Sequence, residues 1–132
     1  MFEQQKNETM NLLTGLIARI LFAVPMAVFG LFHFMNAEGM AGMAPFGGAI
    51  TVYITGACLI AAAVSILINK KAALATLLLG VFFILTALTV HLKSMIGGDE
   101  MAMSQILKDV ALSGGAWFMS GVFKKAEEGG GE

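Results

Sequence analysis

Four apolar stretches constrain this chain more than any other feature of its sequence. Each approaches the length of about 20 residues that a helix needs to cross the hydrocarbon core of a bilayer. Backbone amides inside a bilayer need internal hydrogen-bond partners, so segments of this length are predicted to be helices. The sequence therefore predicts an all-α fold, a bundle of four transmembrane helices over residues 12–35, 46–68, 72–92 and 106–123.

The composition favours a membrane protein and excludes other classes. Hydrophobic residues make up 58% of the chain and charged residues 13%, whereas soluble domains have about 25% charged residues. The net charge of −1 leaves no basic surface for nucleic acid. Cys58 is the single cysteine, so no intrachain disulfide forms. Because it lies in an apolar stretch, Cys58 is predicted to be a small packing residue.

The basic residues predict the orientation of the chain in the membrane. The pair Lys70–Lys71 lies in the tight loop between the second and third spans, and Lys124–Lys125 follows the fourth span. By the positive-inside rule, this loop and both termini face the cytoplasm. The chain then consists of an N-terminal cytoplasmic segment, a membrane domain and a short polar tail that is predicted to be disordered, over residues 1–11, 12–123 and 124–132.

Each predicted helix has one face of small or weakly polar residues. Residues three, four, seven or eleven positions apart share a face of a helix. In chain order the four faces are Arg19, Met26, Gly30, His33; Thr51, Thr55, Cys58, Ala62, Ser65; Ala73, Gly80, Ile84, Ala87, His91; and Asp109, Ser113, Ala116, Ser120. Small residues let membrane helices approach closely, so these faces are predicted to pack in the bundle core.

Ionisable residues near the outer helix ends are the main candidates for a functional site. By the predicted topology, four of them share one depth: His33, His91, Lys108 and Asp109. Charged groups at a helix centre cost about 2.5–3.5 kcal/mol to insert, so they usually face the bundle interior and mark function. The four are predicted to form a catalytic mouth, with Glu38 and Arg19 as further substrate-binding candidates. Arg19 has a second interpretation, in which its long side chain reaches the cytoplasmic headgroups.

Four interpretations of this mouth are open from the residues alone. In the first, a quinone or another small substrate exchanges protons with histidine, which titrates near neutral pH. Haem held by the two histidines and Cu(I) held by the methionines of "MAGM" and "MAM" are the weaker candidates, and no cofactor is firmly implied. The fourth interpretation is a hydrogen-bonded cap that only ties the helices together.

Three segments have the order and spacing of a known family. "LIARILFAVPMAVFGLFHFMNAEGMAGM" has the arginine, the central glycine and the polar exit of that family's first helix. "YITGACLIAAAVSILINKKAALATLLLGVFFILTALTVH" resembles its second and third helices, which a tight basic loop joins. "LKDVALSGGAWFMSG" is similar to its fourth helix, where a lysine and a polar partner precede a Leu–x–Gly–Gly step. Over about residues 12–123 the chain resembles the DoxX-like family of small membrane proteins.

The resemblance implies a four-helix bundle in a bacterial cytoplasmic membrane and a role in a quinone-linked redox complex. The chain has no cysteine pair and no flavin or nucleotide fingerprint, so it would contribute a quinone site to another redox protein. The alternative function is a non-enzymatic scaffold or assembly factor for another membrane protein. The expected partners are the lipid bilayer, another membrane or redox protein and, as a further candidate, a second copy of the chain.

Overall fold

The computed structural model describes residues 1–130, which form four long helices joined by short loops. In chain order the helices are α1 (Phe2–Met35), α2 (Ala49–Ile68), α3 (Ala72–Ile96) and α4 (Ala102–Gly130). No strand occurs in residues 1–130, so the predicted all-α class is confirmed. Among the described helices, α1, α2 and α3 are long and apolar enough to cross a membrane. Helix α4 is long enough but more polar.

The outer surface of the helices is largely apolar. Large hydrophobic side chains that are exposed include Leu21, Leu31, Ile54, Leu78, Leu88 and Phe118. Soluble monomers rarely expose contiguous apolar patches larger than a few hundred Å². Lipid tails accept such a surface, because they are as apolar as leucine. Together with the three long apolar helices, this surface identifies the chain as a membrane protein.

Helix α1 is longer than a membrane span. Its 34 residues correspond to about 51 Å, whereas the hydrocarbon core is about 30 Å thick. The first part of the helix, Phe2–Leu12, is polar on average and has no buried residue. The helix therefore continues, through this polar part, beyond the length that a membrane span needs.

Helices α1 and α2 pack closely as one antiparallel pair, with two glycines at their crossing point. A Cβ atom added to Gly30 would lie 2.8 Å from the carbonyl oxygen of Gly56 and 2.6 Å from Ile60. A Cβ atom on Gly56 would lie 2.8 Å from the carbonyl oxygen of Gly30. Because the two backbones touch here, no larger side chain fits at either position without moving the helices apart.

Helices α3 and α4 form the second close pair. Three side chains of α4 donate hydrogen bonds to backbone carbonyl oxygens of α3: Ser113 to Gly80 at 2.9 Å, Trp117 to Leu77 at 3.0 Å and Ser120 to Ala73 at 2.7 Å. The indole of Trp117 fills the space that a side chain at residue 80 would need. The weakly polar face of α4 therefore serves helix packing, as hydroxyl groups commonly do between membrane helices.

A shared core joins the two pairs. It contains buried residues from all four helices: Ala23, Met26, Leu59, Ala63, Ile66, Leu79, Phe83 and Ala116. Helix α4 contributes Ala116 to this core, which places it within the bundle. The small side chain of Ala116 allows α4 to lie close to the centre.

The predicted packing faces agree with the structure in α4 but not in α2. In α4, Asp109, Ser113 and Ala116 are buried. In α2 the buried residues are Val52, Gly56, Leu59, Ala63 and Ile66, each one position after a residue of the predicted face. The close approach of Gly56 to Gly30 sets this rotation. It turns Cys58 outward, so the prediction of a packing cysteine is wrong.

The start of α2 and the end of α3 differ from the predicted spans. Helix α2 begins at Ala49 and not at Phe46, because Gly47 and Gly48 have positive φ angles of 76° and 58° that a helix does not accept. Helix α3 continues past Leu92 to Ile96, and it contains a wider π-helical turn at Ala87–His91.

The tail that was predicted to be disordered from residue 124 is helical as far as Gly130. Alanine, lysine and glutamate are good helix formers, and Glu127 also accepts a hydrogen bond from the Ala73 backbone N–H at 3.3 Å. That N–H lies in the first turn of α3, where backbone donors have no partner within the helix. Residues 131 and 132 of the predicted tail lie outside the described residues.

Candidate functional site

A cavity of about 330 Å³ lies between the two helix pairs, at the end of the bundle where α1 and α3 finish. Side chains of all four helices line it, and the loop between α1 and α2 contributes Met40, Met43 and Phe46. Most of the wall is apolar, including Met26, Phe83 and other large side chains. The volume lies in the range of small-molecule sites, which are mostly apolar with a few placed polar groups.

The four residues of the predicted mouth all line this cavity: His33, His91, Lys108 and Asp109. They come from three helices, α1, α3 and α4. Residues that were predicted to share one membrane depth therefore lie around one cavity. Their predicted catalytic role stays a prediction.

The side chains of His91 and Asp109 meet between α3 and α4. The Nε2 atom of His91 lies 3.2 Å from Oδ2 of Asp109, whose side chain is 5% exposed. The His91 ring is not aligned with Oδ2 for a hydrogen bond. Within residues 1–130, Oδ2 of Asp109 has no hydrogen-bond partner. His91 ends the π-helical turn of α3, a distortion that is frequent at functional sites. The cavity wall thus contains a buried carboxyl group whose Oδ2 atom lacks a hydrogen bond.

His33 is held by its own helix. Its Nδ1 atom lies 2.7 Å from the carbonyl oxygen of Phe29. A carbonyl only accepts hydrogen bonds, so Nδ1 carries the hydrogen. In the neutral ring Nε2 is then an acceptor. Gly56 lies against the Cβ atom of His33, so the crossing of α1 and α2 also sets the position of this histidine.

No protein-family model, curated protein or solved structure matches the chain.

Lys108 lies at the edge of the cavity with its side chain exposed. Its ammonium group donates a hydrogen bond to Oε1 of Gln105 at 2.6 Å. It also lies 5.7 Å from the centre of the Phe29 ring, within range of a cation–π interaction. These contacts hold a positive charge next to the cavity opening.

Glu38 and Arg19, the two further candidates, do not line the cavity. Glu38 is exposed in a short helical turn, Ala37–Met40, after α1. Arg19 is half-buried in α1, 14 residues before His33, which corresponds to about 21 Å along the helix. The structure therefore does not bring either residue to the predicted mouth.

Metal and haem ligation were weaker interpretations from the residues. In the described part of the chain, no three His, Cys, Asp or Glu side chains are grouped as a metal site requires. Of the methionines in the loops, Met40 and Met43 line the cavity. His33 and His91 both line it too, and Nδ1 of His33 donates to the carbonyl oxygen of Phe29 while Nε2 of His91 lies against Asp109.

Four threonines in the cavity wall were missed as site residues: Thr51, Thr55, Thr86 and Thr89. Thr51 and Thr55 belong to the face of α2 that was predicted to pack in the core. The other two lie one turn apart near the end of α3. The sequence did contain a signal for them: two pairs of threonines, each at helical spacing, lie near the same membrane depth. Hydroxyl groups in an apolar helix need polar partners, so such pairs indicate a polar site.

Proposed function

We propose that this chain is a DoxX-like protein of a bacterial cytoplasmic membrane that supplies a quinone-binding site to a membrane redox complex. The observation that supports the proposal is the convergence of His33, His91, Lys108 and Asp109 on one mostly apolar cavity. A quinone headgroup is a flat apolar ring with polar oxygens. It requires such a pocket, with an apolar wall and a few polar groups.

The polar groups of the cavity suit the proton chemistry of quinones. Reduction of a quinone to a hydroquinone takes up two electrons and two protons, and oxidation releases them. In this proposal the redox partner exchanges the electrons. His91 exchanges protons with the headgroup, since imidazole titrates near neutral pH. Asp109, 3.2 Å from the ring, orients it and stabilises its charged form.

The proposal includes four membrane crossings with both termini in the cytoplasm. Two observations support this arrangement. Helix α4 packs along α3 through hydrogen bonds at Ser113, Trp117 and Ser120, and it contributes Ala116 to the shared core. The basic pairs after α2 and near the end of α4 lie at the same end of the bundle, where Glu127 accepts a hydrogen bond from the Ala73 backbone N–H, and one cytoplasmic end rich in basic residues is what the positive-inside rule expects.

Cysteine labelling tests this topology. In a Cys58→Ala background, the variants Lys70→Cys, Glu100→Cys and Lys125→Cys are treated with a membrane-impermeant maleimide on intact cells. Glu100→Cys is expected to react in intact cells, and the other two only after permeabilisation. Reaction of Lys125→Cys together with Glu100→Cys would show that α4 does not cross the membrane.

Mass spectrometry of the protein extracted in mild detergent tests the function. Wild-type protein is expected to carry quinone or quinol in stoichiometric amount. His91→Phe is expected to lose at least about 90% of it, since hydrogen bonds that involve charged groups contribute about 1.5–3 kcal/mol. The control Leu88→Phe changes an exposed residue of the same turn and should retain the ligand.

Two outcomes would contradict the proposal. Wild-type protein that carries another membrane protein but no quinone would favour the assembly-factor function. Loss of helical structure in His91→Phe would favour the structural cap. That second interpretation has its own support, because the His91–Asp109 contact adds a polar contact between α3 and α4 beside their hydrogen bonds.

A further inference from the structure

We infer that the cavity binds the hydroquinone in preference to the quinone. This inference rests on the proposed function and specifies the form of the ligand. The two forms have nearly the same shape but opposite hydrogen-bonding chemistry. A hydroquinone has two hydroxyl groups that donate, whereas a quinone has two carbonyl groups that only accept. The polar groups of the wall therefore discriminate between them.

Asp109 provides the first acceptor. Asp109 is 4% exposed and lines the cavity. Among the described residues its Oδ2 has no hydrogen-bond partner. A buried acceptor without a partner costs free energy, and a ligand that donates to this carboxyl group recovers part of that cost. A quinone carbonyl at the same place would face the deprotonated carboxyl group with a second acceptor and leave both unpaired.

Other groups of the wall also accept. Nδ1 of His33 donates to its own helix, so Nε2 of the neutral ring accepts. The hydroxyl groups of Thr51 and Thr89 donate to the backbone carbonyls of Phe46 and Leu85. Each hydroxyl has one hydrogen, so these two threonines present only lone pairs to a ligand. Acceptors therefore predominate among the wall groups whose hydrogen positions the geometry determines.

The donors of the wall are placed differently. The ammonium group of Lys108 is exposed at the edge and donates one of its three hydrogens to Gln105. The hydroxyl groups of Thr55 and Thr86, which also line the cavity, can donate or accept. Nε2 of His91 faces Asp109. A hydroquinone that donates to the Asp109 carboxyl group lies next to this imidazole. That position is suited to proton transfer when the redox partner removes electrons.

Anaerobic calorimetry with the full chain in lipid nanodiscs tests the inference. The three ligands are decylbenzoquinone, its hydroquinone, and the dimethyl ether of that hydroquinone, which keeps the ring but has no donors. Wild-type protein is expected to bind the hydroquinone at least about tenfold more tightly than either of the others. In Asp109→Asn, the side-chain amide can donate, so the ratio of hydroquinone to quinone affinity should fall at least about tenfold.

The outcomes separate the two proposals. Equal or tighter binding of the quinone by wild-type protein would overturn the preference and leave the quinone site standing. An unchanged ratio in a folded Asp109→Asn variant would overturn the role of Asp109 and with it the inference. Failure of all three ligands to bind would overturn the proposed function itself. The comparison of ligands on wild-type protein remains decisive if the variant does not fold.

Discussion

Replacing Gly30 by leucine is expected to separate α1 from α2 and to destabilise the bundle strongly. A Cβ atom added at this position would lie 2.6 Å from Ile60 and 2.8 Å from the Gly56 carbonyl oxygen. The latter contact is with backbone, which cannot rotate away. Overpacking of this kind typically costs about 1–3 kcal/mol and occasionally more. Unfolding of the purified protein in increasing denaturing detergent, followed by circular dichroism, measures the change.

The matched control is Gly114→Leu. Gly114 is also helical, but a Cβ atom there meets nothing within 4 Å. Leucine is a better helix former than glycine by somewhat under 1 kcal/mol, so the control should be neutral or slightly stabilising. Equal loss of stability in both variants would show that α1 and α2 do not touch at Gly30. The Gly30 variant should also displace His33, whose Cβ atom lies against Gly56.

Filling the cavity is expected to abolish ligand binding while leaving the fold intact. Thr55 lies in the cavity wall, so the ring of Thr55→Phe would extend into the 330 Å³ space and exclude a quinone headgroup. Affinity for the hydroquinone should fall about 100-fold or more, which corresponds to about 2.7 kcal/mol. Calorimetry and thermal unfolding of the same sample measure binding and stability together.

Ile54→Phe is the control for this variant. Ile54 is the preceding residue of α2 and is 59% exposed, so its side chain points away from the cavity towards lipid. The control should bind the ligand like the wild-type protein. Retained binding in Thr55→Phe would place the ligand outside this cavity, whereas unfolding of Thr55→Phe would show that the space is too small for the ring.

The elements of this fold could be predicted from sequence because their signals are local. Runs of apolar residues near the length of a membrane span indicate helices without any knowledge of their neighbours. The Asn–Lys–Lys turn has a local signal too, since asparagine adopts the left-handed conformation at helix ends, as Asn69 does with φ of 57°. Rotation about the helix axis has no such signal. In α2 the weakly polar face was predicted to be the core face, but the contact of Gly56 with Gly30 determines the rotation of the helix.

Part of the site could be predicted for a similar reason. The depth of His33, His91, Lys108 and Asp109 follows from counting residues from the helix ends, and shared depth was enough to place them around one space. The space itself could not be predicted, because its size depends on how far the two pairs stand apart. The same limit applies to Glu38: it is close in sequence to His33, but the helical turn after α1 leaves it exposed.

The packing in two pairs also bears on the order in which the protein assembles. Both pairs join helices that are consecutive in the chain, α1 with α2 and α3 with α4, so their contacts are of low sequence separation and form early. The α1–α2 hairpin can complete its packing during synthesis, before α3 and α4 leave the ribosome. The cavity has walls from both hairpins, so it exists only after they dock. Ligand binding therefore reports on the last step of biogenesis, and a ligand present at that step stabilises the docked state by mass action.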